Sequence, residues 1–101
     1  MTVTAKRIRT LTLRGRKWKV RWPVKLVNDS GKPLLGQCHH CCRTLFIAAD
    51  QPNDELADTL IHEMLHGCFP RVREKRIASA AGEIFKALER LGLLRIPKGK
   101  T

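Results

Sequence analysis

The chain contains no tyrosine, and its aromatic rings are confined to two tryptophans and three phenylalanines. Chemistry that needs a phenol is therefore excluded. Acidic side chains are also scarce, with 9 Asp and Glu against 20 Lys and Arg and a net charge of +11. An acidic, polyanion-repelling surface is excluded on that balance. No run of about 18 apolar residues occurs, which excludes a membrane-spanning helix of ordinary length. Lys6, Arg7 and Arg9 lie near the start, but no apolar stretch follows that resembles a signal peptide. A cytoplasmic location is the expectation. Of four cysteines, three fall at Cys38, Cys41 and Cys42, a clustering expected of reduced thiols or metal ligands rather than of a disulfide framework. No repeat or low-complexity segment interrupts the chain.

At 101 residues the chain reads as a single domain, residues 1–101, with a core small enough that a bound metal would add to its stability. Residues 6–13 are rich in β-formers and end at the turn signal Arg14-Gly15-Arg16. Lys17 to Trp22 then alternates strictly, with Trp18, Val20 and Trp22 on one face and three cations on the other. Asn28 to Pro33 is a loop by composition, and Arg43 to Ala49 reads as another strand. Asp50 to Asn53 breaks the chain before an amphipathic helix over 54–67, with Asn53 as its N-cap. A turn around Pro70 leads to a second helix over 73–91, closed by Gly92, and 93–101 is a short basic tail. The expected fold class is α+β: a small antiparallel β-sheet of about three strands from residues 6–49, packed on a two-helix hairpin. Its core should come from Trp18, Val20, Trp22, Leu45, Ile47, Leu60, Met64, Ile77, Ile84 and Leu88.

Inside the first helix stands His62-Glu63-Met64-Leu65-His66. Two histidines four apart share one face of an α-helix, so both imidazoles reach a single Zn2+ at roughly 2.0–2.1 Å. Glu63 is rotated by roughly 100° from His62. It misses the ion and reaches a water bound to it, where a general base belongs. On the helical wheel Glu55, Asp58, Thr59, Glu63 and His66 gather on the side of His62, with Leu60, Ile61, Met64 and Leu65 on the remaining arc. Both histidines thus belong to the polar side.

A catalytic zinc takes three protein ligands and keeps a fourth position for water. In a hairpin with a short turn, the third ligand should come from early in the second helix. Glu74 and Glu83 compete. Glu74 falls within the apolar arc of that helix and Glu83 opposite it, among Arg76, Lys86 and Arg90. A carboxylate facing the core needs a partner. Glu83 also lies about 13 Å further along the axis, so Glu74 is the metal ligand to expect.

His62-Glu63-x-x-His66, a short turn, and Glu74 opening an Ala-rich amphipathic helix resemble the minimal gluzincin metallopeptidases, and are similar to the small SprT-like and ImmA-type zinc peptidase domains of phages and bacteria. The resemblance extends over most of residues 17–92, including a Trp-containing strand and a Gly before a Cys. It implies an HExxH helix beside a small antiparallel sheet, an edge strand that holds a peptide extended, and Glu74 as third ligand. Two departures stand out. The tyrosine that stabilises the transition state in many such enzymes has no counterpart, and Arg71 and Arg73 flank Glu74 with positive charge.

Cys38-x-x-Cys41 has the spacing of half a zinc-ribbon site. His39, His40, Cys42 and Cys68 are the residues available to complete it. Alternatively one of these groups faces the catalytic zinc, a thiolate blocking the open position or a histidine supplying the missing oxyanion donor. The expected function is a zinc metallopeptidase with His62, His66 and Glu74 on the metal and Glu63 as catalytic base, acting on a protein or peptide. The alternative is a basic nucleic-acid-binding domain with a structural zinc, its contacts made by the basic strand region. Nine basic residues from Lys6 to Lys25 precede the first acid, Asp29, and favour such a contact. Both readings are compatible in a peptidase that acts on substrates associated with nucleic acid.

Overall fold

Alternation organises the sheet. In the computed structural model, which describes residues 7–94, strand β1 (Thr10–Leu13) turns through Arg14-Gly15 into β2 (Arg16–Arg21). Along β2 only Trp18 and Val20 are buried, and the cations between them face solvent. Trp22, just beyond the strand, is partly buried and donates its indole N–H to the Ile8 carbonyl at 2.8 Å. Lys6, at the start of the expected first strand, and residues 95–101 of the expected tail lie outside the described residues.

Two further strands follow, β3 (Gly36–His39) and β4 (Thr44–Ile47), then the helices α1 (Asn53–Cys68) and α2 (Glu74–Arg90). The sheet order is β1-β2-β4-β3. β1 and β3 are antiparallel to their neighbours, but β2 and β4 run parallel, pairing Lys19 with Thr44 and Arg21 with Phe46. The expected three-stranded antiparallel sheet is thus corrected to a four-stranded mixed one. The cause is the loop over residues 22–35, which passes across the end of β4 before β3 begins. That crossing is fixed by hydrogen bonds from Ala49 N–H to the Pro23 carbonyl at 2.7 Å and from Ala48 N–H to the Leu35 carbonyl at 2.9 Å. As an interior strand β4 turns Leu45 and Ile47 toward α1, where both are fully buried, while Phe46 on the other face is partly buried.

The helix boundaries differ slightly from expectation. Pro52, not Asn53, is the N-cap of α1, and no side chain caps that end. Gly92 does close α2, at φ 73°, where its N–H bonds the Glu89 carbonyl and the Leu93 N–H bonds the Leu88 carbonyl, each at 3.0 Å. This is the Schellman pattern, which needs a left-handed residue at that position.

α1 lies between the sheet and α2, packing on β3, β4 and α2, whereas α2 packs on α1 alone among the described elements. Ile77 and Ala81 of α2 are buried, but Ile84, expected in the core, is 40% exposed because no sheet covers that end of the helix face. Leu60, Met64 and Leu88 are partly buried. The polar arc of α1 also behaves differently from its wheel. Thr59 and Glu63 are buried, because this side of the helix faces β3 rather than solvent. Among the described residues no helix is long and apolar enough to cross a membrane.

Candidate metal centre

Each turn of α1 places one histidine beside the start of α2. His62 and His66 lie one turn apart with ring centroids 4.9 Å apart and ring planes inclined at 56°. The connection over residues 69–73 then brings Glu74, the first residue of α2, against both. The His66 Nε2 lies 2.7 Å from Glu74 Oε1. The His62 Nε2 lies 3.2 Å from Oε1 and 3.1 Å from Oε2. A carboxylate only accepts, so each of these nitrogens donates.

The three ligand atoms all lie within 4.8 Å of one another. Tetrahedral coordination at zinc bond lengths keeps neighbouring donors about 3.3 Å apart. The group can therefore take a metal ion in place of the bridging protons, with small side-chain adjustments. Partial burial pushes the Glu74 carboxyl up, but the hydrogen bonds from His66 and His62 and the charge on both rings outweigh it, and its pKa is lowered. Glu74 does not face the core as its wheel position implies. Its side chain is 68% exposed, against 21% for each histidine, because the first turn of α2 extends past the packed part of the helix. Glu83 is exposed and belongs to no metal-capable group among the described residues. Arg71 and Arg73 are exposed, and among the described residues Glu74 is paired with the two histidines alone.

Glu63 is buried at 6% exposure. Burial pushes its carboxyl up to about 7, the charge on His66 opposes this, and the charge on Glu74 adds to it. The burial is supplied by β3. A Cβ built on Gly36 would stand 2.8 Å from both Cγ and Oε2 of Glu63 and 2.8 Å from the Thr59 methyl. Only glycine lets the strand backbone come this close. Below it, Thr59 donates to Gln51 Oε1 at 2.8 Å, and Gln51 Nε2 donates to the carbonyls of Ala48 at 2.8 Å and Leu35 at 3.1 Å. Gln51 thereby ties β4, the approach to β3 and α1 together. Gln51 carries no signal in the sequence, and Gly36 enters it only as the glycine before a cysteine; a glycine followed by strand residues is the one local sign of a close backbone approach.

The cysteine cluster does not assemble a zinc ribbon. Among the described residues His62, His66 and Glu74 form the group able to hold an ion, and all four cysteines are free thiols, with Cys41 and Cys42 exposed. Cys38 is half-buried, and burial, reinforced by the charges of Glu63 and Cys68, pushes its thiol up to about 12. His39 Nε2 lies 2.9 Å from Gln37 Oε1. His40 donates from Nε2 to the His66 backbone carbonyl at 2.9 Å, bracing the chain at that histidine.

Compared with family models, with curated proteins and with solved structures, the chain matches none.

Proposed function

We propose that the chain is a zinc-dependent peptidase in which His62, His66 and Glu74 hold the ion and Glu63 is the general base. One observation carries the reading: two imidazole nitrogens and a carboxylate converge within 4.8 Å, beside a glutamate whose pKa is raised to about 7. Two histidines and a glutamate are the donor set of catalytic rather than structural zinc, because they leave a coordination position open. A bound zinc supplies a polarised substrate carbonyl and a water whose pKa is lowered toward about 7.

Glu63, ionised, would take a proton from the attacking water at its carboxylate and return it to the amine nitrogen as the C–N bond breaks. A base with a pKa near 7 is matched to both halves of this transfer at neutral pH. β3 is an edge strand packed on α1. Its free edge suits an extended peptide added to the sheet.

The test is metal analysis by mass spectrometry together with hydrolysis of a peptide library. Zinc should be lost in His62→Ala and Glu74→Ala but kept in a Cys38→Ser/Cys41→Ser double variant. Glu63→Gln should keep the metal and lose turnover. Undiminished hydrolysis by Glu63→Gln, or zinc that follows the cysteines instead, ends the assignment.

A further inference from the structure

Both tight turns of the sheet lie at the same end. The β1–β2 turn consists of Arg14 and Gly15, both at positive φ, 51° and 77°, the pattern of a type I′ hairpin. The β3–β4 connection ends at Arg43, at φ 47°. These are the two non-glycine residues with left-handed backbone among the described residues. Asparagine or glycine fits such positions at less cost than arginine, so neither arginine is explained by its turn.

Both guanidinium-bearing residues line one cavity of about 470 Å3, together with Arg16, His40 and Trp18. No acidic residue lines it, and among the described residues none of the three arginines is ion-paired. Arg14 Nη1 donates to the Cys68 carbonyl at 3.2 Å, which offsets the negative end of α1 at this point and leaves the other N–H groups of the fork free. Strained backbone, three unpaired guanidinium residues and one shared cavity are independent features that agree on an anion.

We propose that this cavity is a phosphate site, and that it seats a backbone phosphate of a nucleic acid. Three forked cations suit a phosphate, with its several acceptor oxygens, better than a single carboxylate. Lys17, Lys19 and Arg21 are exposed on the face of β2 opposite Arg16 and Trp18, a row of cations that starts beside the same turn and is available to further phosphates of one strand. Trp18 is 5% exposed and has no free face for base stacking, so the site reads the backbone and not the sequence. This inference is independent of the metal centre and of any peptidase activity.

The test uses fluorescence anisotropy with a short labelled DNA strand of arbitrary sequence, alone and paired with its complement, over a range of salt. Arg14→Asn/Arg43→Asn removes both guanidiniums while placing a residue tolerant of left-handed backbone at each turn, so its melting temperature should equal or exceed that of the unaltered protein. Lys86→Gln/Arg90→Gln on exposed α2 removes the same charge elsewhere. The cavity variant should bind roughly tenfold more weakly and lose about 1 to 2 from the slope of log K against log salt, while the α2 variant stays within about twofold. Inorganic phosphate should displace the strand more effectively than acetate at equal ionic strength. Failure of either probe to bind, equal weakening by the two double variants, or equal competition by the two anions would overturn the proposal.

Discussion

Glu63→Gln in the metal-free protein isolates the electrostatic cost of burying a base. In the unfolded chain the carboxyl ionises at about 4.5, and in the folded one at about 7. Between those values the native state holds a proton that the unfolded state has lost, so stability falls as pH rises through this window and is level on either side. A difference of about 2.5 pKa units corresponds to about 3 kcal/mol. At 6% exposure the group is little screened by solvent. Glutamine keeps the shape and carries no charge. Relative to the unaltered protein, Glu63→Gln should therefore gain stability as pH rises from 4.5 to 8, by up to about 3 kcal/mol. Urea unfolding with chelator present, for both proteins at several pH values, measures this directly. Parallel stability profiles across the whole range would refute the argument that burial raises this carboxyl. The same substitution should abolish hydrolysis by the metal-loaded protein, so that stability and activity move in opposite directions.

Gly36→Ala should cost about 1–3 kcal/mol, because its Cβ has no space beside Glu63 and Thr59; thermal unfolding of the metal-free protein reads it, and an unchanged melting temperature would place β3 further from α1. Thr59→Val leaves Gln51 Oε1 without its 2.8 Å donor and should cost about 1–3 kcal/mol, measured by urea unfolding. Adding a chelator should lower the melting temperature of the zinc-loaded protein and leave Glu74→Ala unmoved, since stabilisation by a ligand requires that the folded state bind it. Equal shifts in the two proteins would mean that the ion sits elsewhere.

Much of this architecture is legible in residue order. The alternation from Lys17 to Trp22, the long helices and the terminating Gly92 all carry strong local signals, and the spacing of His62 and His66 puts two imidazoles on one face before any tertiary contact is considered. β3 was not legible, because Gly-Gln-Cys-His has little strand propensity and is recruited by the edge of β4. The parallel β2–β4 pair was hidden for a related reason: an interior position for β4 depends on where the chain crosses, and the loop over residues 22–35 has no pattern that announces a crossing. On the helical wheel Glu74 falls in an apolar arc, yet the side chain is mostly exposed and meets the histidines from the open end of α2. On α1 the same wheel separated polar from apolar correctly but could not tell which side faces inward, since a helix covered on two sides buries parts of both arcs.

The three donors lie within residues 62–74, two on α1 and one at the first residue of α2, whereas the environment of Glu63 is made by Gly36 from a distant part of the chain. Affinity for the ion and the basicity of the glutamate therefore depend on different ranges of folding. If the three donors hold a metal ion, a chain in which the two helices have docked but the sheet has not closed would already capture it, while its glutamate titrated like any solvated carboxylate. Metal content alone would then overstate the fraction of competent protein in a preparation, and the pH at which Glu63 ionises would be the better index that the whole domain has assembled.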